Sequence, residues 1–542
     1  MTQLSEVSLL EFYRLRYCPS LPAILKNLKS CAIKKNSVFF DHINELTKLF
    51  PHLTALREVT IEAGVMQATE LLRVGVLFSG GQAAGGHNVI SGLYDALQSL
   101  NSRSQLFGFI GGPGGLVKGH SLEITGELLA NYRNLGGFDL LGSDRTKLNS
   151  ANEAKVLEHV QVLNLDGLII IGGDDSNTNA AYLAEYFLDK KIKTKVIGVP
   201  KTIDGDLKNE KIEISFGFDS ATKTYSSIIG NLARDVLSAK KYYYFVKLMG
   251  RTASNIALEC ALQTHPTYTL IGEEIAAENK SLECVVNDIV DLICKRSTDS
   301  KDYGIILIPE GLLEFISDSN QLFKELAKID SVLLPNEISE LLSPESRKCL
   351  YLFPEAIRQQ LFLDRDPHGN LQVSKIETER LLMSMVEIQL EKRKLAGEYS
   401  GRFNPQPLFC GYEGRACCPS NFDANYCYAL GHVAAVLIQN GLSGYMAAVQ
   451  ELAQPVENWK PAGVPLVSMM VFETRKEGSR AVISKALVDL GGKPFATFKE
   501  KRLNWAYGDE YRYPGPIQFF GPSELTEQMT FTLALESNKA LV

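Results

Sequence analysis

Leu168-Ile169-Ile170-Ile171-Gly172-Gly173-Asp174-Asp175-Ser176-Asn177-Thr178 passes from an unbroken apolar run through two glycines into polar residues, and continues as Asn179-Ala180-Ala181-Tyr182-Leu183-Ala184. The pattern reads as a buried strand, a glycine turn and a helix start. A turn of this kind leaves backbone N–H groups unsatisfied at the helix N-terminus, where anions bind. The next apolar run, residues 195–199, ends in Pro200-Lys201-Thr202-Ile203-Asp204-Gly205-Asp206. This second loop sets a cation suited to phosphate beside carboxylates able to accept a proton.

The same texture extends along the chain. Strand-like runs at 74–78, 106–110, 167–171 and 195–199 alternate with helical stretches, the spacing of βαβ units and a mostly parallel sheet. A second series at 242–248, 268–271 and 303–308 predicts a second α/β domain. Residues 1–70 read as a helical extension, because 21–28 and 42–50 mix apolar and charged positions without glycine turns. Residues 314–400 are charged and helical in period, a helical insertion. The expected division is therefore 1–70, 71–238 completed by 475–542, 239–313, the insertion 314–400, and a return of 401–474 to the second domain, with a strand at 465–471.

Composition limits the partners. The 542 residues are 45% hydrophobic and 22% charged, as in ordinary globular proteins, and the formal net charge is −7. A global positive field for nucleic acid is excluded, so any basic site must be local. Glu6, Glu11, Arg14 and Arg16 interrupt the first apolar residues, and no apolar run is long enough to span a bilayer, which predicts a cytoplasmic protein without a membrane partner. The ten cysteines, densest at Cys410, Cys417, Cys418 and Cys427, contain no CxxC and read as reduced thiols. His87, His265 and His432 read as capping or packing residues.

Open α/β sheets bind ligands at the carboxyl ends of their strands. There the chain places Gly80-Gly81 and Gly111-Gly112-Pro113-Gly114-Gly115. On the residues alone each is either a phosphate cradle or a plain tight turn. Consecutive acids at Asp174 and Asp175 are costly to juxtapose unless a cation or solvent relieves them. Asp174 is either a Mg²⁺ ligand or a solvated residue capping its helix. Lys201, Asp204 and Asp206 add what phosphoryl transfer to an alcohol requires, a base and a charge-neutralising cation.

Together with Met249-Gly250-Arg251, Pro309-Glu310-Gly311 and Gly411-Tyr412-Glu413-Gly414-Arg415, these two loops resemble, in order from about Arg73 to Val471, the phosphofructokinase family. Within it the chain is similar to the long-chain, diphosphate-dependent branch. The resemblance implies an α/β fold of two Rossmann-like three-layer domains, with the N-terminal helical extension and the helical insertion. It implies fructose 6-phosphate and diphosphate as substrates, Mg²⁺ as cofactor, and a homodimer with a site shared across the interface. It makes Asp204 the acceptor of the sugar C1 hydroxyl proton, Thr202 and Ile203 its substrate-lining neighbours, Asp206 a supporting carboxylate, Asp174 the metal ligand and Gly81 a backbone contact to diphosphate. Met249, Gly250, Arg251, Glu310, Tyr412, Glu413, Gly414 and Arg415 become the sugar-phosphate residues, with Lys241 and Tyr242 contributed across the interface.

Donor choice rests on Asp175 and Lys201, where ATP-using relatives carry glycine. A carboxylate at 175 adds bulk and negative charge where a nucleotide's α-phosphate would lie, and a lysine at 201 neutralises the short donor. Diphosphate is the expected donor. The alternatives are an ATP-dependent kinase on the same scaffold and a catalytically silent regulatory subunit, the latter opposed by the intact Asp174, Asp204 and Asp206. Two departures stand out. Ala84 replaces a common proline, and residues 142–147 do not align cleanly, so Arg145 and Lys147 are left outside the expected site.

Overall fold

The computed structural model describes residues 8–36, 44–66, 68–329, 335–363, 376–475 and 478–540. In chain order its strands are β1 (Cys31–Lys35), β2 (Val59–Ala63), β3 (Arg73–Phe78), β4 (Gln105–Phe109), β5 (Ser121–Glu123), β6 (Gly167–Gly172) and β7 (Lys195–Pro200). There follow β8 (Tyr243–Leu248), β9 (Tyr268–Thr269), β10 (Gly304–Pro309), β11 (Pro405–Cys410), β12 (Tyr445–Gln450), β13 (Lys460–Pro465), β14 (Met470–Arg475) and β15 (Gly478–Ile483).

The chain forms two units. Met1–Ala221, Glu413–Ala486 and Ile517–Lys539 make the first, and Thr222–Tyr412, Leu487–Pro516 and Ala540–Val542 the second. The first contains a nine-stranded sheet in the order β1-β2-β13-β12-β7-β6-β3-β4-β5. Its centre, from β12 through β7, β6 and β3 to β4, is parallel. Every residue of β6 is buried, as a parallel strand covered on both faces requires, and this is why 168–171 is apolar without alternation.

Helices Gly86–Leu100 and Asn421–Gln439 pack together within this unit, although more than 300 residues separate them. Their backbones approach so closely that a Cβ on Gly92 would lie 2.1 Å from the Tyr428 carbonyl oxygen. Leu77, Ile170, Val196, Met446 and Val464 contribute to one apolar core on this sheet.

The second unit is built on a four-stranded parallel sheet, β11-β8-β10-β9. Its core gathers Tyr243, Phe245, Ile306 and Ile308 with Leu381, Leu382 and Val386 of the helix Thr378–Leu395. Within the stretch expected as a helical insertion, the regular elements among the described residues are helices, from Leu312–Phe315 to Thr378–Leu395.

Four expectations about parts change. The N-terminal extension carries, besides short helices, β1 and β2, and β2 pairs antiparallel with β13. Residues 413–474, expected with the second domain, fall in the first unit because β12 adds to β7 and β13 pairs beside it. Residues 222–238 and 487–516, expected in the first domain, fall in the second unit. The strand expected at 465–471 is instead the end of β13, a 3₁₀ turn Leu466–Met469 and the start of β14. There the Ser468 hydroxyl donates back to the Pro465 carbonyl at 2.6 Å, a local bond that competes with sheet pairing.

Candidate active site

Three loops of the first unit meet at the carboxyl ends of β3, β6 and β7. The turn after β6 is stitched from below by Asn177, whose amide donates to the carbonyls of Gly172 (2.6 Å), Gly173 (2.9 Å) and Val199 (3.4 Å). Ser176 donates to Ser79 at 2.8 Å, tying this turn to the glycine turn after β3, and the Lys201 N–H donates to Gly172 O at 3.0 Å. The helix Asp174–Asp189 starts at Gly173 without a side-chain cap, with Asp174 and Asp175 in its first turn. Acids there are favoured by the helix dipole, so capping and ligand binding use the same placement.

Lys201 is buried, and its ammonium donates to the Gly81 carbonyl at 2.6 Å. Gly80 has φ +81°, a backbone conformation that favours glycine. Burial first, then the neighbouring guanidiniums of Arg415 and Arg145, push the Lys201 ammonium down to about 7, against the opposing pull of Asp204 and Asp174. An added anion would reverse this balance.

Asp204 is buried with Thr202, Ile203 and Asp206. Its N–H donates to the Thr202 hydroxyl at 3.0 Å, and its carboxylate lies 3.4 Å from an Nη of Arg415. Arg415, on the short helix Tyr412–Ala416, also comes within 3.3 Å of where a Gly81 Cβ would be. Glu413 is exposed and Gly414 buried. Asp204, Lys201, Gly81 and Arg415 thus form one cluster.

Arg145, which the sequence reading set aside, belongs here. One Nη lies 4.0 Å from the Gly81 Cβ position, because Gly80 N–H donates to Asp144 O at 2.9 Å and docks the 142–147 turn against the glycine loop. Lys147 is exposed. Lys485 was also missed. Its Nζ lies 3.4 Å from an Asp174 carboxylate oxygen. Asp206 and Asp175 act on the same ammonium, so three carboxylates share one neighbourhood. No glycine or loop motif marks Lys485; only pairing across the chain reveals it.

Hard carboxylate oxygens are the donors Mg²⁺ selects. Among the described residues no three His, Cys, Asp or Glu side chains are grouped to hold a metal by themselves. The acids therefore suit Mg²⁺ as an ion shared between one or two carboxylates and the phosphates of a donor.

In the second unit, Met249-Gly250-Arg251 follows β8. The Met249 N–H donates to Cys410 O at 2.9 Å, and the Gly250 N–H donates to the Glu310 carboxylate at 3.0 Å. Gly250 has φ +139°, a conformation open to glycine. Glu310 is buried, whereas Arg251 and Tyr412 are exposed. Lys241 is also exposed and lies over the half-buried Tyr242 ring, 4.9 Å from its centroid.

A sheet with a parallel centre, glycine turns at its carboxyl edge, a buried lysine and buried carboxylates define an α/β protein whose loops carry groups suited to phosphoryl transfer. The phosphofructokinase model matches residues 73–347, and the chain belongs to the phosphofructokinase family. It is 48% identical, over 95% of its length and 92% of the relative's, to pyrophosphate–fructose 6-phosphate 1-phosphotransferase subunit beta 1 of Arabidopsis thaliana. It is 46% identical, over 98% of its length and 99% of the relative's, to pyrophosphate–fructose 6-phosphate 1-phosphotransferase of Porphyromonas gingivalis. The structure of a pyrophosphate-dependent phosphofructokinase from Nitrosospira multiformis superposes with a TM-score of 0.52 over 78% of this chain and 86% of that one, at 16% identity, and shows the shared fold.

Proposed function

We infer that this chain transfers a phosphoryl group from inorganic diphosphate to the C1 hydroxyl of fructose 6-phosphate, giving fructose 1,6-bisphosphate and phosphate. The observation that carries the reading is near full-length identity to enzymes named for that reaction, 48% and 46%. The cluster around Lys201 and Asp204 supports it independently.

The Asp204 carboxylate takes the hydroxyl proton as the oxygen attacks phosphorus, and Thr202 and Ile203 line the place of attack. Lys201 and the Gly81 backbone stabilise the charge spreading on the transferred group, with Arg145 beside them. Asp174, supported by Asp206, would hold Mg²⁺, which when bound neutralises charge on the diphosphate oxygens. Met249, Gly250, Arg251, Glu310, Tyr412, Glu413, Gly414 and Arg415 are assigned to the sugar phosphate. Because the residues supply position and fixed charge rather than covalent chemistry, the reaction runs in either direction.

Asp175 and Lys201 set the donor. Asp175 is exposed at the helix start while Lys201 is buried beneath the glycine loop, so one repels a longer donor and the other holds a short one. The purified chain, given fructose 6-phosphate and Mg²⁺, is expected to turn over with diphosphate and not with ATP; ATP use alone would overturn the donor, and use of neither would favour a regulatory subunit. Asp175→Gly with Lys201→Gly is expected to lower the preference for diphosphate over ATP.

The assembly is a homodimer in which Lys241 and Tyr242 reach across the interface, a role their accessibility allows. Light scattering giving a monomer mass at working concentration would exclude it. The place of action we assign is the cytoplasm, a compartment that keeps thiols such as the ten free cysteines reduced.

A further inference from the structure

The segment after β15 joins both halves of the donor site. Ile483 N–H donates to the Thr178 hydroxyl at 2.9 Å, on the helix that starts with Asp174, and Ala486 N–H donates to Asp206 O at 2.7 Å. Ser484 N–H donates to Met469 O at 2.9 Å, closing the hairpin base behind them. Lys485 is therefore delivered to the acids by backbone bonds to each of the two loops. This segment lies beyond the residues 73–347 that match the family model.

Charge shows what such a lysine is for. Asp174, Asp175, Asp204 and Asp206 bring four carboxylates to these loops, against the cations Lys201, Arg145 and Arg415. Burial and two guanidinium neighbours already hold Lys201 toward its neutral form. A diphosphate entering this field, even with Mg²⁺ neutralising part of its charge, meets an excess of negative charge that a further cation relieves. The Lys485 side chain keeps 36% of its surface exposed, and its Nζ touches Asp174 at 3.4 Å without any shorter bond to fix it there. A compact ammonium on a flexible stem can move from a carboxylate to a phosphate oxygen.

We propose that Lys485 is a diphosphate-binding residue, which leaves Asp174 for a phosphate oxygen of the incoming donor. The assignment rests on the diphosphate reading of the site. It adds a donor contact from a part of the chain that carries none of the recognised motifs. Moving the ammonium off Asp174 also frees that carboxylate for Mg²⁺, so one displacement serves both partners of the donor.

Calorimetric titration of the full chain with diphosphate and Mg²⁺, without sugar so that no turnover occurs, tests this. Lys485→Met keeps the aliphatic stem and is expected to weaken diphosphate binding by about 10- to 100-fold, whereas Lys485→Arg keeps the charge and recovers part of the loss. The logarithm of the affinity is expected to depend less steeply on salt in K485M than in the wild type. Fructose 6-phosphate binding by the same preparations, expected within about twofold of wild type, reports the fold; Lys485→Gln replaces K485M should that binding be lost. Wild-type affinity for diphosphate in K485M would overturn the proposal, as would tighter Mn²⁺ binding in K485M with diphosphate affinity unchanged, which would leave Lys485 a counter-ion of Asp174 alone. A wild-type chain that binds ATP and no diphosphate would instead overturn the donor reading beneath it.

Discussion

At the scale of single residues, the candidate base illustrates how this site is poised. Asp204 is buried, yet its carboxylate keeps a cation, Arg415, at 3.4 Å and a backbone anchor through Thr202. A buried carboxylate without such company would be costly to ionise. Asp204→Ser preserves a small polar group and is expected to lower kcat by about three or more powers of ten, with fructose 6-phosphate affinity changed little. Single-turnover kinetics and equilibrium sugar binding on one preparation check both halves; undiminished turnover would remove Asp204 from the role of base. PKTIDGD alone singled out Lys201 as a candidate for phosphate. Its bond to Gly81, and the guanidiniums of Arg145 and Arg415 pressing on it, were not legible there.

At the scale of elements, the first unit depends on two helices that meet at glycines. A Cβ at Gly92 would fall 2.1 Å from Tyr428 O, and one at Gly431 would fall 2.3 Å from Val89 O. Both clashes are with backbone, which cannot rotate away as a side-chain tip does. Gly92→Val is therefore expected to separate the helices and destabilise the first unit by several kcal/mol, roughly the cost of severe overpacking. Thermal unfolding reads the loss; a midpoint equal to that of the wild type would show that the helices slide apart without cost. In the second unit, the Lys247 ammonium on β8 donates to Ile376 O at 3.1 Å and lies 3.4 Å from Glu379 at the start of the helix Thr378–Leu395. This buried pair docks the helical insertion to β8, the strand that leads into Met249.

At the scale of the whole molecule, stability depends on pH through a buried acid of the helix Asn421–Gln439. Asp423 accepts from Gly217 N–H (3.1 Å), Ser220 N–H (2.9 Å) and the Ser220 hydroxyl (2.6 Å). Burial, then the neighbouring Asp219, nevertheless raise its carboxyl from 3.8 to about 7. The folded chain thus holds a proton that the unfolded chain releases. The stabilisation is complete below about pH 4 and is lost as pH rises through about 7. Asp423→Asn cannot titrate, so the fall in melting temperature from about pH 5.5 to 8 is expected to be smaller in the variant than in the wild type. Equal slopes would place the titration elsewhere.

The order of βα units, the two candidate loops and the family motifs were legible in the chain, because a buried parallel strand must be apolar throughout and the loops set glycine and charge within a few residues. The helical character of the insertion was legible from its period. Tertiary structure alone decided that β12 and β13 complete the first sheet, that β1 and β2 extend it, and that Arg145 and Lys485 stand among the site's charges. Those facts depend on hydrogen bonds and ion pairs between residues far apart in sequence. Local composition records the face a residue must bury, but not the distant partner that covers it.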